Sequence, residues 1–166
     1  MRTSNRPREA RLTRRRLVGA WRLVRIEYRG PRGPAADPFY RPGSTGLLIY
    51  DRSGWMSVQI AAPRRRSWAV EEGRALVGAD TPRRPRAKAE AFDAYYAYFG
   101  TWEIDGSRSE VTHHVATALI PAEDGIDYAQ RVTFERGRMI FTNRDGARGA
   151  RAVRRKVWAR IDRGAR

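Results

Sequence analysis

Residues 101–143 read TWEIDGSRSEVTHHVATALIPAEDGIDYAQRVTFERGRMIFTN, and this stretch decides the fold. Short β-rich runs alternate with turn residues: Thr101–Ile104, a turn at Asp105-Gly106-Ser107-Arg108, Glu110–Ala118, a Pro121–Gly125 connection, Asp127–Glu135, an Arg136-Gly137 turn and Arg138–Asn143. Brief apolar-polar runs separated by Gly, Asp and Ser are the pattern of successive hairpin strands. Turns this tight leave no room for a crossover helix, so neighbouring strands are expected to pair antiparallel.

Working outward, Val153–Ile161 is one more strand beyond a Gly-rich link. Upstream, Ala87, Ala91, Phe92, Tyr95 and Tyr96 fall at helical spacing behind Pro85, which predicts a helix from Arg86 to about Tyr98 closed by Gly100. Residues 61–86, rich in Pro, Arg and Ala, carry no firm period and read as a long connection and a candidate lid. Leu47–Tyr50 and Trp55–Ile60 flank the turn Asp51-Arg52-Ser53-Gly54 and predict a hairpin. Trp21, Leu23 and Tyr28 interleave with Arg22, Arg25 and Arg29, so a half-buried strand is expected from about 20 to 30. The total is eight strands with one α-helix inserted between the third and fourth. That predicts a mainly all-β fold, a single antiparallel up-and-down eight-stranded barrel, because closure removes the unpaired edges of such a sheet. A barrel of this size holds side chains or one small ligand.

A chain of 166 residues suits one domain. Residues 1–16 are expected to form a basic, disordered tail, 17–162 the barrel, and 163–166 a short C-terminal tail. The net charge of +16 concentrates in 1–16, 63–90 and 147–166, leaving the rest near neutral, and only Lys88 and Lys156 are lysines. Charge placed in tails and a connection reads as solvation, so nucleic acid is not the expected partner. With no cysteine, disulfides and thiolate metal sites are excluded. No export signal or membrane-spanning run is recognisable, which makes a cytoplasmic protein without a membrane partner the expectation.

Five segments carry a resemblance: Leu17-Val18-Gly19-Ala20-Trp21-Arg22-Leu23, Gly46-Leu47-Leu48-Ile49-Tyr50-Asp51 before Gly54, Met56-Ser57-Val58-Gln59, Tyr98-Phe99-Gly100-Thr101-Trp102 and Val111-Thr112-His113-His114-Val115. In order and spacing they resemble the bacterial and fungal lipocalin-like domain family, over roughly Leu17 to Ile161. The resemblance implies a lipocalin-like barrel with an internal cavity. It also implies that Arg160 of the closing strand stacks on Trp21, with Gly19 beside it, so that Trp21 plugs the floor. The opening then lies at the far end, under the 61–86 connection and the helix carrying Tyr95 and Tyr96. No single reaction is implied, since lipocalin-like barrels beside natural-product pathways bind intermediates or assist cyclisations.

His113 and His114 are the only histidines, and adjacent strand residues point to opposite faces. One of them therefore faces the cavity, as a hydrogen-bond anchor or general base, and no metal is expected. Arg131, mid-strand, is a candidate for holding a carboxylate or enolate if it points inward. Tyr50, Trp55, Gln59, Tyr95, Tyr96 and Trp102 form the aromatic and amide inventory of an apolar pocket with a few polar anchors. No phosphate-cradling glycine motif or nucleophile elbow occurs, so no cofactor is expected. The leading reading is a barrel that binds a small, largely apolar or amphipathic metabolite. A cofactor-independent isomerase or cyclase using His113 or His114, Arg131 and a tyrosine is the alternative, and nucleic-acid binding by the Arg-rich tails is the weakest.

Overall fold

The computed structural model describes residues 11–65, 85–145 and 152–161. Its strands are β1 (Gly19–Gly30), β2 (Gly33–Pro34), β3 (Thr45–Tyr50), β4 (Trp55–Ala61), β5 (Tyr95–Asp105), β6 (Glu110–Ala118), β7 (Asp127–Glu135), β8 (Arg138–Asp145) and β9 (Ala152–Arg160). They form one sheet in the order β2-β1-β3-β4-β5-β6-β7-β8-β9, every adjacent pair antiparallel, and β1 also pairs with β9. That last pairing closes an eight-stranded barrel and leaves β2 as a two-residue outer strand. The short helices α1 (Arg14–Leu17) and α2 (Pro85–Asp93) and a 3-10 turn at Pro121–Glu123 complete the described residues.

Alternation sets which side chains fill the barrel. On β4, Met56, Val58 and Ile60 are buried while Trp55, Ser57 and Gln59 face out; on β6, Val111, His113 and Val115 are buried. Burying the apolar members of this set stabilises the fold by about 1.5–3 kcal/mol each and fixes the register, since a slip of one residue would turn the whole set outward. At the β3–β4 turn, Asp51 Oδ1 accepts hydrogen bonds from the Ser53 amide (2.9 Å) and hydroxyl (2.6 Å), which holds the bend from within.

The helix is shorter than its spacing suggested. It stops at Asp93, and Tyr95 and Tyr96 open β5, opposite Ala61 and Ile60 of β4. Aromatic side chains fit a pleated, half-buried surface well, and here the cross-strand partners override a periodicity that the same residues satisfy by coincidence. Gly100 does not close a helix either. It lies inside β5 beside a bulge, where a side chain would run into the His114 carbonyl of β6. The packed chain also starts earlier than Leu17, because Leu12 is buried in the core. Residues 1–10, 66–84, 146–151 and 162–166 lie outside the described residues, and with them most of the candidate lid, the Gly-rich link before β9 and much of the Arg-rich tails.

Candidate functional site

The barrel interior is layered from floor to mouth. At the floor, Trp21 (2 % exposed) donates its indole N–H to the Leu17 carbonyl at 2.8 Å. The Arg160 guanidinium lies 4.3 Å from the Trp21 ring centre and donates to the carbonyls of Val18 (2.7 Å) and Arg16 (2.5 Å). Gly19 makes room for it: at φ +131°, a side chain there would come within 2.6 Å of Arg160 Nη1. Arg14 over Trp102 and Arg16 over Phe134 extend the same stacking.

Above the floor sits a buried polar layer. His113 on β6 points inward, its Nε2 2.5 Å from the Tyr50 hydroxyl and its Nδ1 2.7 Å from the Tyr98 hydroxyl and 3.1 Å from Gln130 Nε2. Burial, with the charge of Lys156 and then His114 adding to it, pushes the His113 pKa down to about 3, so the imidazole is neutral at ordinary pH. An amide nitrogen can only donate, so Nδ1 accepts and the ring proton sits on Nε2, facing Tyr50. Burial also holds the hydroxyls of Tyr50 and Tyr98 well above the usual tyrosine range, and both stay protonated.

Above this layer a cavity of about 610 Å³ opens to the mouth, walled by Tyr40, Tyr96, Tyr98 and Tyr128 with Ile60, Gln130, Arg154 and Lys156, and rimmed by exposed Phe39 and Phe92. The tyrosine rings contact one another at 5.7–6.0 Å between centres. Tyr96 donates its hydroxyl to Glu123 at 2.9 Å. The mouth is held by a buried ion pair between segments far apart in the chain: Arg154 Nε and Nη2 donate to Asp37 Oδ2 (2.6 Å) and Oδ1 (3.2 Å). Burial raises the Asp37 pKa, but hydrogen bonds from Arg154 and from the Phe39 and Tyr40 amides outweigh it and keep the carboxylate below its ordinary value. The volume is in the range of small-molecule pockets.

The other residues singled out from the sequence fall in different places. His114 faces outward, half exposed, with Nδ1 2.7 Å from Asp127 and Nε2 3.5 Å from Glu103. Arg131 is exposed on the outer face of β7. Trp55 packs against Phe99 outside the barrel, and Gln59 bonds Ser57 there. Tyr95 stands at the rim under Arg65, while Tyr96 lines the cavity. Tyr50 and Trp102 are buried below it in contact with each other, at 4.7 Å.

Several cavity residues escaped the sequence reading: Tyr40, Tyr98, Tyr128, Glu123, Gln130, Arg154 and Lys156. Parity was the usable signal for Gln130 and His113, which share a face with Val132 and with Val111 and Val115 respectively. Arg154 and Lys156 lie on β9, the strand expected over Val153–Ile161, but their charges belong to the basic 147–166 segment that reads as solvation. Among the described residues no helix is long and apolar enough to cross a membrane, and no group of three His, Cys, Asp or Glu side chains is placed to hold a metal ion. A family model described as a lipocalin-like domain matches residues 18–161. No curated protein matches the chain.

Proposed function

Because the chain belongs to the lipocalin-like domain family, we propose that it binds a small, largely apolar metabolite in the cavity at the barrel mouth. One observation carries this reading: the space of about 610 Å³ is walled by four mutually packed tyrosines and floored by a neutral polar layer. Aromatic walls supply apolar contact area, and a few fixed hydroxyl and amide groups orient what sits between them. In this reading Tyr96, Tyr98 and Tyr128 are the contact surface, whereas His113 and Tyr50 hold Tyr98 in place from beneath. Trp55, Gln59, His114 and Arg131 contribute nothing, since they stand outside the wall.

Native mass spectrometry of the protein purified from its own host tests the proposal, with a retained small molecule as the expected result. Loss of that molecule in Tyr96→Ala, with retention in Arg131→Ala and His114→Ala, is the expected pattern. A protein that carries nothing and shows no saturable uptake of the neutral apolar dye N-phenyl-1-naphthylamine would overturn it.

A second reading, a cofactor-independent isomerase or cyclase on a natural-product intermediate, is supported by the Tyr98 hydroxyl. It lines the cavity and gives its proton to His113 Nδ1 at 2.7 Å, so its oxygen is placed to accept a hydrogen bond from the hydroxyl of an enol held against it. Turnover that survives Tyr98→Phe would remove that support.

A further inference from the structure

Gln130 sits where the buried polar layer meets the cavity. It projects inward from β7, is 3 % exposed and forms part of the cavity wall. Its amide nitrogen is turned to His113 Nδ1, and its Oε1 is buried with no hydrogen-bond partner among the described residues. Buried amide oxygens are nearly always paired, so one left over at a cavity wall marks a place where something else supplies the donor.

The polar groups around His113 do not supply it, and Trp158 Nε1, the other unpaired buried group among the described residues, is not within hydrogen-bond distance of it. Tyr96 gives its proton to Glu123 and Tyr98 gives its own to His113, while the ring proton of His113 faces Tyr50 on the other side. Gln130 lines the cavity, so a small turn of its side chain toward a donor held there would supply the missing bond. Its surroundings are tyrosine rings, which calls for an apolar ring framework around that donor. Lys156 lines the same cavity, and its charge disfavours a cationic donor there, so a neutral hydroxyl fits better than an ammonium.

We propose that Gln130 is the specificity contact of this cavity, its Oε1 accepting a hydrogen bond from a hydroxyl carried on an apolar ring compound. The proposal rests on the cavity-binding reading above and narrows the ligand class to hydroxylated aromatic or alicyclic molecules.

Three probes of matched shape separate the two claims: 1-naphthol, 1-methoxynaphthalene and naphthalene, each titrated calorimetrically into the wild-type protein and into Gln130→Met. The expected result is a preference of wild type for 1-naphthol over 1-methoxynaphthalene on the order of tenfold, the size of one neutral hydrogen bond. In Gln130→Met that preference collapses while naphthalene still binds. Gln130→Asn, which keeps the amide but withdraws it by one methylene, is expected to lose the preference too and serves if the methionine variant does not fold. Equal binding of the three probes by wild type overturns the Gln130 proposal and leaves the cavity reading standing. A wild-type preference for the ether, which would mean the amide presents its NH₂ instead, also overturns it, as does a 1-naphthol preference that persists in both variants. Failure of all three probes to bind wild type overturns the cavity reading itself.

Discussion

The floor and the mouth of the barrel are built from the same materials, arginine and aromatic rings, and come to opposite ends. At the floor, Arg160 lies on the outside of Trp21 and spends its donors on backbone carbonyls of the segment leading into β1. Its charge stays near water, and the stack seals the barrel without removing a cation from solvent. At the mouth, Arg154 is 8 % exposed and faces Tyr28, Phe39 and Tyr40, and Asp37 balances its charge. A buried cation with its own carboxylate braces the rim and lets the rings beneath it stand apart. The inventory of residue types is therefore a poor guide to where a ligand goes. What separates a plug from a pocket is whether the cation lies outside the aromatic layer or beneath its surface.

The largest test of this contrast is Trp21→Ala, which removes the plug. A stability loss of about 3–5 kcal/mol is expected from the transfer and cavity terms together, read by urea unfolding. At temperatures where the variant is folded, its affinity for N-phenyl-1-naphthylamine should equal that of wild type. A parallel loss of affinity would show that floor and mouth do not act separately. The layer between them is reached by pH. Folded His113 stays neutral down to about 3, whereas the unfolded residue takes up a proton near 6.5. The stability gained by burying it neutral is full above pH 6.5 and is lost as pH falls from there toward 3. Between pH 6.5 and 4.5 the unfolding free energy of wild type should fall more steeply than that of His113→Gln, by up to about 1.4 kcal/mol per pH unit. Identical slopes would contradict a buried neutral imidazole. The smallest effect belongs to Arg160→Ala, where an exposed cation–ring stack contributes about 0.5–1 kcal/mol. Thermal denaturation at two salt concentrations is the suitable measurement, and a loss above 2 kcal/mol would mean that Arg160 does more than cover the plug.

The strands from β6 to β9 were legible because strand period and tight turns agree there. The helix boundary was not, since Ala91, Phe92, Tyr95 and Tyr96 satisfy a helical stripe while Tyr96 and Tyr98 also satisfy strand alternation. Only the β4 partners decide between them. His113 was within reach: its parity with Val111 and Val115 puts it inside, and the equivalent parity of Val132 puts Arg131 outside. On β4 the exposed Trp55 masked the same signal by standing on the wrong side for its size. Arg154 was out of reach altogether, because its meaning depends on Asp37, 117 positions away, and no local pattern encodes a partner at that distance.

The β1–β9 seam carries a consequence for how the chain is made. Arg155 reaches back across it to Glu27, 128 positions earlier, so the pairing that completes the barrel is among the most distant in sequence. Contacts of that separation form late and place a protein among the slower folders. During synthesis β1 through β8 emerge before the strand that unites them, with two unpaired edges and an interior open to water, the condition in which sheets pair with the wrong neighbour. The basic residues of β9 thus belong to a latch that arrives last, and the time before it arrives is when the chain is most exposed to aggregation.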